Sequence, residues 1–298
     1  MSDLTDLYPG FASRTVPTDA GRIFARVGGS GPPLLLVHGF PETAAMWHRV
    51  APRLAGRFTL VVPDLRGYGW SSAPASRGGE GYAKRVMGGD LVALMADLGF
   101  ARFRFAGHDR GARVGYRLAL DQPGRIEALA LLDIVPTIAV WRSRETNPDV
   151  APHWPWLARP APEPEDAIGR DPDAYYEGLL RRWSGTRSLD AFAPGALAQY
   201  RGSWGDPSRI HAMCEDYRAG ATLDVDADRE DEAAGRTIGC PVLVLASRHY
   251  LVGSGDKPPL EAWRSGFAPA AEGVEIDSGH FMAEENPDAT VAALTSFL

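Results

Sequence analysis

Short, continuously apolar runs spaced along the first half of the chain constrain its fold more than any other feature. They are LLLVHG (34–39), FTLVVPD (58–64), RFRFAGH (102–108) and EALALLD (127–133). Runs of this kind suit strands buried on both faces of a sheet. Helical patterns lie between them. TAAMWHRVAPRLA (43–55) reads as a helix capped by Thr43, residues 82–98 carry helical periodicity, and GARVGYRLALDQP (111–123) is a helix stopped by Pro123. RIFARVG (22–28) alternates as one strand of an opening hairpin does. This β-α-β-α order predicts a parallel sheet with helices on both faces.

The pattern breaks over residues 136–236, where no clear parallel strand is legible. That region holds a helical stretch, PDAYYEGLLRRW (172–183), and a Pro-rich loop, ARPAPEPEDAIGRDP (158–172). It ends in an acidic stretch, DVDADREDEAAG (224–235), expected to be solvated surface or linker. The alternation resumes at PVLVLAS (241–247), GVEID (273–277) and a final helix near Pro287. The expected fold class is therefore α/β. A mostly parallel sheet flanked by helices is built from residues 1–135 and 237–298, and a helical cap is inserted at 136–236.

Composition narrows the function. The 298 residues carry a formal charge of −7 with no long Lys/Arg cluster, which excludes a general nucleic-acid binder. No run of 18 apolar residues exists, so no membrane partner is expected. The first residues lack the basic and apolar regions of a secretory signal. Cys214 and Cys240 have no metal-type spacing and fit buried thiols in a reducing compartment, the cytoplasm by default. All but two of the 31 basic residues are Arg, the exceptions being Lys84 and Lys257.

Gly107-His108-Asp109-Arg110-Gly111 falls between a predicted strand and a predicted helix. It has the form of a nucleophile elbow with Asp at the reacting position. The following helix aims its N-terminus at residue 109 and favours an ionised carboxylate there. A Ser attacking a saturated carbon would form an ether that water does not readily cleave, whereas a carboxylate forms an ester that water can cleave. Asp is also ionised at neutral pH without a base, its reference pKa being about 3.9. Asp109 thus points to displacement of a halide or opening of an epoxide. Hydrolysis of the ester needs a base, and His280, after the final strand, is the candidate. Asp133, at the end of LLD, is placed to orient it, with Asp256 as the rival. The loop His38-Gly39-Phe40-Pro41 and residue 110 are positioned to supply an oxyanion hole through the Phe40 and Arg110 backbone N–H groups.

The elbow, HGFP (38–41), DLRGYGWSS (64–72) and SGH (278–280), in that order, resemble the α/β-hydrolase superfamily over nearly the whole chain. GHDRGARVGYRLAL (107–120), LLDIVPT (131–137), HW (153–154) and DYRAGATLD (216–224) resemble the fluoroacetate (haloacetate) dehalogenases more closely. Ala112 departs from the pattern, in which a second Gly is common, and the loop at 247–259 is unfamiliar. The resemblance implies hydrolytic dehalogenation of a small 2-halo acid, with Asp109, Asp133 and His280 as nucleophile, acid and base. It assigns Arg110 and Arg113 to the substrate carboxylate, and His153, Trp154 and Tyr217 to the halide. It implies no metal or organic cofactor, a small-molecule substrate as partner, and a homodimer. The chemistry of Arg agrees, since a guanidinium fork grips a carboxylate and makes a poor wall for a neutral apolar substrate. Arg110 and Arg113, three residues apart, share a helix face. Two other readings remain. One is an epoxide hydrolase using Tyr217 with Tyr175, Tyr176 or Tyr200 to protonate the ring oxygen. The other is a non-catalytic binding protein for small acids.

Overall fold

A computed structural model describes residues 4–19, 21–252 and 256–298. The apolar runs become the middle of one sheet. Its strands are β1 (Ala12–Thr18), β2 (Gly21–Gly29), β3 (Pro33–Val37), β4 (Thr59–Pro63), β5 (Phe103–His108), β6 (Ile126–Leu132), β7 (Val242–Ser247) and β8 (Glu272–Ile276). They lie in the order β1-β2-β4-β3-β5-β6-β7-β8. β1 and β2 form the opening antiparallel hairpin, β2 pairs antiparallel with β4, and every later pairing is parallel. Leu34 to Val37 and Leu129 to Leu132 are wholly buried, as strands covered on both faces must be.

The helices of the first part are α1 (Ala51–Leu54), α2 (Lys84–Asp97) and α3 (Asp109–Asp121). Between β6 and β7 come α4 (Thr137–Thr146), α5 (His153–Leu157), α6 (Glu163–Gly169), α7 (Pro172–Trp183), α8 (Pro194–Trp204), α9 (Pro207–Ala221) and α10 (Leu223–Ala233). The chain closes with α11 (Pro259–Arg264), α12 (Met282–Glu285) and α13 (Pro287–Phe297). Among the described residues, no helix is long and apolar enough to cross a membrane.

Three local expectations need correction. The 43–55 segment is not one helix. Thr43 does cap it, accepting from the Ala45 N–H at 3.2 Å, but a 3-10 turn over Ala44–Arg49 gives way at Val50 to the short α1, with Pro52 in its first turn. Proline suits a first turn and not a helix interior, so the break falls there. The Pro-rich segment 158–172 contains α6, with Pro164 in its first turn.

The acidic stretch 224–235 is not a linker: most of it forms helix α10, with one solvated face carrying Asp226, Arg229 and Glu230 and one buried face. Asp224, Asp228 and Asp231 recur at helical spacing, share one face and are buried. That face meets α2 and α3. The Lys84 N–H donates to Asp224 Oδ1 at 2.8 Å, the Tyr116 hydroxyl bonds Asp228, and Arg117 ion-pairs with Asp231. These partners lie more than 100 residues upstream, so no local pattern could announce them. Cys214 is buried and Cys240 half-buried, both as free thiols.

A second buried cluster ties α9 to the sheet side. Asp216 takes hydrogen bonds from Arg110 on α3, from Lys84 at the start of α2 and from the Tyr68 hydroxyl, while Lys84 Nζ also lies 3.4 Å from Asp224. Breaking a buried ion pair by removing one partner strands the other and costs about 3–5 kcal/mol. Lys84→Ala is therefore expected to lower unfolding free energy by about that amount in urea denaturation. A variant as stable as the parent contradicts the role given to this cluster.

Candidate active site

The carboxyl ends of β3, β5, β6 and β8 place the predicted side chains together. Asp109 opens α3 directly after β5 with φ +40°, a left-handed value that a non-glycine residue adopts only under constraint. The flanking glycines make this turn possible. A Cβ on Gly107 would lie 2.7 Å from the Ala112 nitrogen, and one on Gly111 would lie 2.4 Å from the His38 carbonyl oxygen. The Phe40 N–H, after β3, donates to Asp109 Oδ2 at 3.2 Å, so the predicted oxyanion donor already touches this carboxylate. Burial alone would raise the Asp109 pKa. The fields of His280, Arg110, Arg113 and His108 together outweigh that and hold it below the usual carboxylate value.

Of the two acids considered for orienting His280, Asp133, just beyond β6, is the one in contact with it. Its Oδ2 lies 2.7 Å from His280 Nδ1, and its Oδ1 accepts the Ser247 N–H at 2.7 Å. A carboxylate only accepts, so Nδ1 carries the proton and Nε2 is the basic nitrogen. The rival Asp256 is exposed. The His280 backbone is gripped as well. Its N–H donates to the Trp183 carbonyl at 2.9 Å, and its own carbonyl lies 2.8 Å from His108 Nε2.

His108 escaped the sequence analysis, as did its partner Glu42, whose Oε2 lies 3.1 Å from Nδ1. Both are wholly buried. Burial opposes a charge on His108, but the Glu42 hydrogen bond and the charges of Glu42, Asp109 and Asp133 raise its pKa. The available signal was a polar residue at the buried end of a strand. Tyr250 was missed too, and its ring packs 4.4 Å from that of His280. It belongs to the irregular loop after β7, part of which (253–255) lies outside the described residues.

A cavity of about 1120 Å³ opens over these groups, and its walls include Asp109, Arg113, Asp133, His153, Trp154 and His280. Phe40, Arg110 and Tyr217 are not among its lining residues. The Tyr217 ring packs on Phe40, His153 and Trp154 at 5.1, 5.7 and 6.3 Å between centroids, so the three residues predicted for the halide do cluster. Burial pushes His153 down to about 3, leaving a neutral imidazole with a single N–H to donate. Of the tyrosines considered for an epoxide, Tyr175 lines the cavity, whereas Tyr200 is engaged by Glu284.

The two arginines, expected as a matched pair, stand in different environments. Arg110 is neutralised: its Nε and Nη2 donate to Asp216 Oδ1 at 3.0 and 2.5 Å, its guanidinium lies 4.2 Å over the Tyr217 ring, and only Nη1 lacks a partner. Arg113 has no carboxylate in contact among the described residues. Its Nη1 donates to the Val135 carbonyl and to Thr137 Oγ1, both at 3.1 Å, while its Nε is buried without a partner. Burial lowers its pKa, and Asp109 only partly opposes this. Among the described residues, no group of three or more His, Cys, Asp or Glu side chains is arranged to hold a metal ion. A buried carboxylate, an imidazole held by a second carboxylate, and a guanidinium lacking a counter-ion can together support nucleophilic displacement followed by hydrolysis on an anionic substrate.

The chain is similar to known proteins over nearly its whole length. The α/β hydrolase fold family matches residues 32–287. A fluoroacetate dehalogenase from a Burkholderia species is 44% identical, the match covering 98% of this chain and 95% of that protein. A soluble epoxide hydrolase from Corynebacterium sp. (strain C12) is 31% identical over 90% of this chain and 91% of its own. The solved structure of a Pseudomonas aeruginosa protein, provisionally named an epoxide hydrolase and studied as a mutant with bound MFA, superposes with a TM-score of 0.91. It is 44% identical, covering 99% of this chain and 97% of that one.

Two histidines, His38 wholly buried and His153 half-buried at the cavity wall, give the site a pH signature. His38 Nε2 accepts the Leu65 N–H at 3.0 Å and is therefore neutral, and burial pushes its pKa down to about 4. His153 behaves likewise, at about 3. The unfolded chain takes up protons on these rings near the reference value of about 6.5, before the folded protein does. The stability they contribute is thus complete above that pH and is lost as pH falls toward 4. Imidazole ¹⁵N spectra are expected to keep both rings neutral at the pH where free histidine is half-protonated. Midpoints at the free-histidine value contradict this.

Proposed function

Because the chain belongs to the α/β-hydrolase family and, within it, to the family of the fluoroacetate dehalogenases, we propose that it hydrolyses the carbon–halogen bond of haloacetate or a small 2-halo acid. The observation that carries this reading is Arg113: a buried guanidinium facing the Asp109 cavity without a carboxylate partner. A buried charge left unpaired is costly, and a substrate carboxylate supplies the missing partner. Such a group would repel nothing from a neutral epoxide, but it would gain nothing from one either.

In the proposed reaction Arg113 holds the carboxylate, with Arg110 adding its one free nitrogen. An Asp109 oxygen attacks the 2-carbon from the side opposite the halogen. The carbon–halogen bond breaks, and its electron pair leaves as halide among the N–H and O–H groups of His153, Trp154 and Tyr217. The product is an ester between Asp109 and the substrate. His280 Nε2 takes a proton from water, which attacks the Asp109 carbonyl carbon, and Asp133 stabilises the imidazolium. The Phe40 and Arg110 N–H groups hold the oxyanion until it collapses. The 2-hydroxy acid leaves with the proton returned by His280, and the Asp109 carboxyl loses the second proton of the water to solvent, which restores the carboxylate. Residues 136–236 act as the cap that closes over these steps. The resemblance also implies a homodimer, and the two free thiols fit a cytoplasmic setting.

The cavity is larger than a haloacetate requires, and Tyr175 and Tyr250 line it, so epoxide opening is the reading to test against. Halide release from fluoroacetate and chloroacetate, run beside turnover of a styrene-type epoxide, separates the two. The expected result is halide release with no diol formed. Diol formation with no halide released from either acid overturns the proposal.

A further inference from the structure

Arg113 lacks a carboxylate in contact, yet a continuous chain of hydrogen bonds leads from it to one. Its Nη1 donates to Thr137 Oγ1 at 3.1 Å. Thr137 Oγ1 lies 2.7 Å from the Tyr116 hydroxyl, which lies 2.9 Å from Asp228 Oδ2. All four side chains are buried. They come from α3, the start of α4 and α10, so the chain crosses from the elbow helix to the last helix of the block between β6 and β7.

Proton bookkeeping fixes its direction. A phenol has one proton and an ionised carboxylate has none. Tyr116 spends its proton on Asp228, so its oxygen must accept at the other end, and the Thr137 N–H also donates to that oxygen at 3.2 Å. The Thr137 hydroxyl therefore donates to Tyr116 and accepts from Arg113. Every bond points the same way, and such chains strengthen one another in a low-dielectric interior. Asp228 is held for this task by the Ile138 N–H at 3.1 Å, with Arg117 at 3.9 Å. Burial raises its carboxyl to about 7, while Ile138, Tyr116 and Arg117 pull it down and Asp224 adds to the rise, so the ionised form dominates above neutral pH.

We infer that Asp228, Tyr116 and Thr137 are positioning residues for Arg113, acting as a relayed counter-charge that fixes its guanidinium while leaving its remaining donors free for a substrate carboxylate. A direct carboxylate partner would do the same structural work but would occupy those donors, as Asp216 does for Arg110. The inference rests on the proposed role of Arg113 and adds the groups that set it.

The test uses Thr137→Val, which is nearly isosteric but cannot relay, and Thr137→Ser, which keeps the hydroxyl. Glycolate affinity is measured by calorimetry above neutral pH, independent of turnover. Alongside it, KM and kcat are measured for chloroacetate and for its neutral amide. A lost hydrogen bond to a charged group predicts roughly tenfold weaker glycolate binding in Thr137→Val and a similar rise in the chloroacetate KM. The preference for acid over amide should fall, kcat should change far less, and Thr137→Ser should bind as the parent does. Unchanged glycolate affinity in Thr137→Val, or an equal loss in Thr137→Ser, overturns the relay. If the parent binds glycolate in the predicted pattern but releases no halide from any halo acid, the relay stands and the dehalogenase reading falls.

Discussion

An ionised carboxylate held in a tight, buried turn is the constraint on which the rest of this structure depends. Asp109 is buried, and burial works against its charge. The site answers with a positive field from His280, Arg110, Arg113 and His108, and with a direct hydrogen bond from Phe40. The backbone shares the burden. A φ of +40° is tolerated only because two glycines let β3, β5 and α3 close to within van der Waals contact around it. Conformational strain, glycine placement and local electrostatics therefore serve one end, a carboxylate poised at the carboxyl edge of the sheet.

The charges around that carboxylate are graded rather than repeated. Arg110 is matched by Asp216, which Lys84 and Tyr68 also hold. Arg113 has no carboxylate in contact among the described residues and instead meets the Val135 carbonyl, the Thr137 hydroxyl and the face of the Trp154 ring. The first arrangement fastens α9 to the sheet side and backs the Tyr217 ring. On the proposed reading, the second keeps donors available in the cavity. Two arginines one helical turn apart thus stand in different settings, Arg110 against Asp216 of α9 and Arg113 reached from Asp228 of α10 only through two hydroxyls, and on the proposed reading Arg113 takes the larger share of the substrate carboxylate.

Much of this was legible in the chain itself. The strands buried on both faces were readable as continuous apolar runs. The elbow, the strand-end Asp133 and the late His280 were readable because each sits at a boundary between elements, and the structure joins Asp133 to His280 at 2.7 Å. What escaped was set by distant partners. The acids of α10 look like a solvated run until Lys84, Tyr116 and Arg117 are brought against them. Glu42 and His108 are ordinary polar residues until both are buried face to face beneath His280. Tyr250 lies in an irregular loop with no period to read. The break at Val50 was in principle visible in Pro52, whose effect on the helix the apolar periodicity masked.

The central claim is that the Asp109 carboxylate, and not a water molecule, makes the new carbon–oxygen bond. A single turnover of chloroacetate with excess enzyme in ¹⁸O-labelled water addresses it most directly. If Asp109 attacks carbon, the glycolate hydroxyl carries unlabelled oxygen from that side chain, and the label is retained in Asp109 for later turnovers. Glycolate fully labelled in the first turnover would mean that water attacked the substrate directly, which contradicts the carboxylate mechanism.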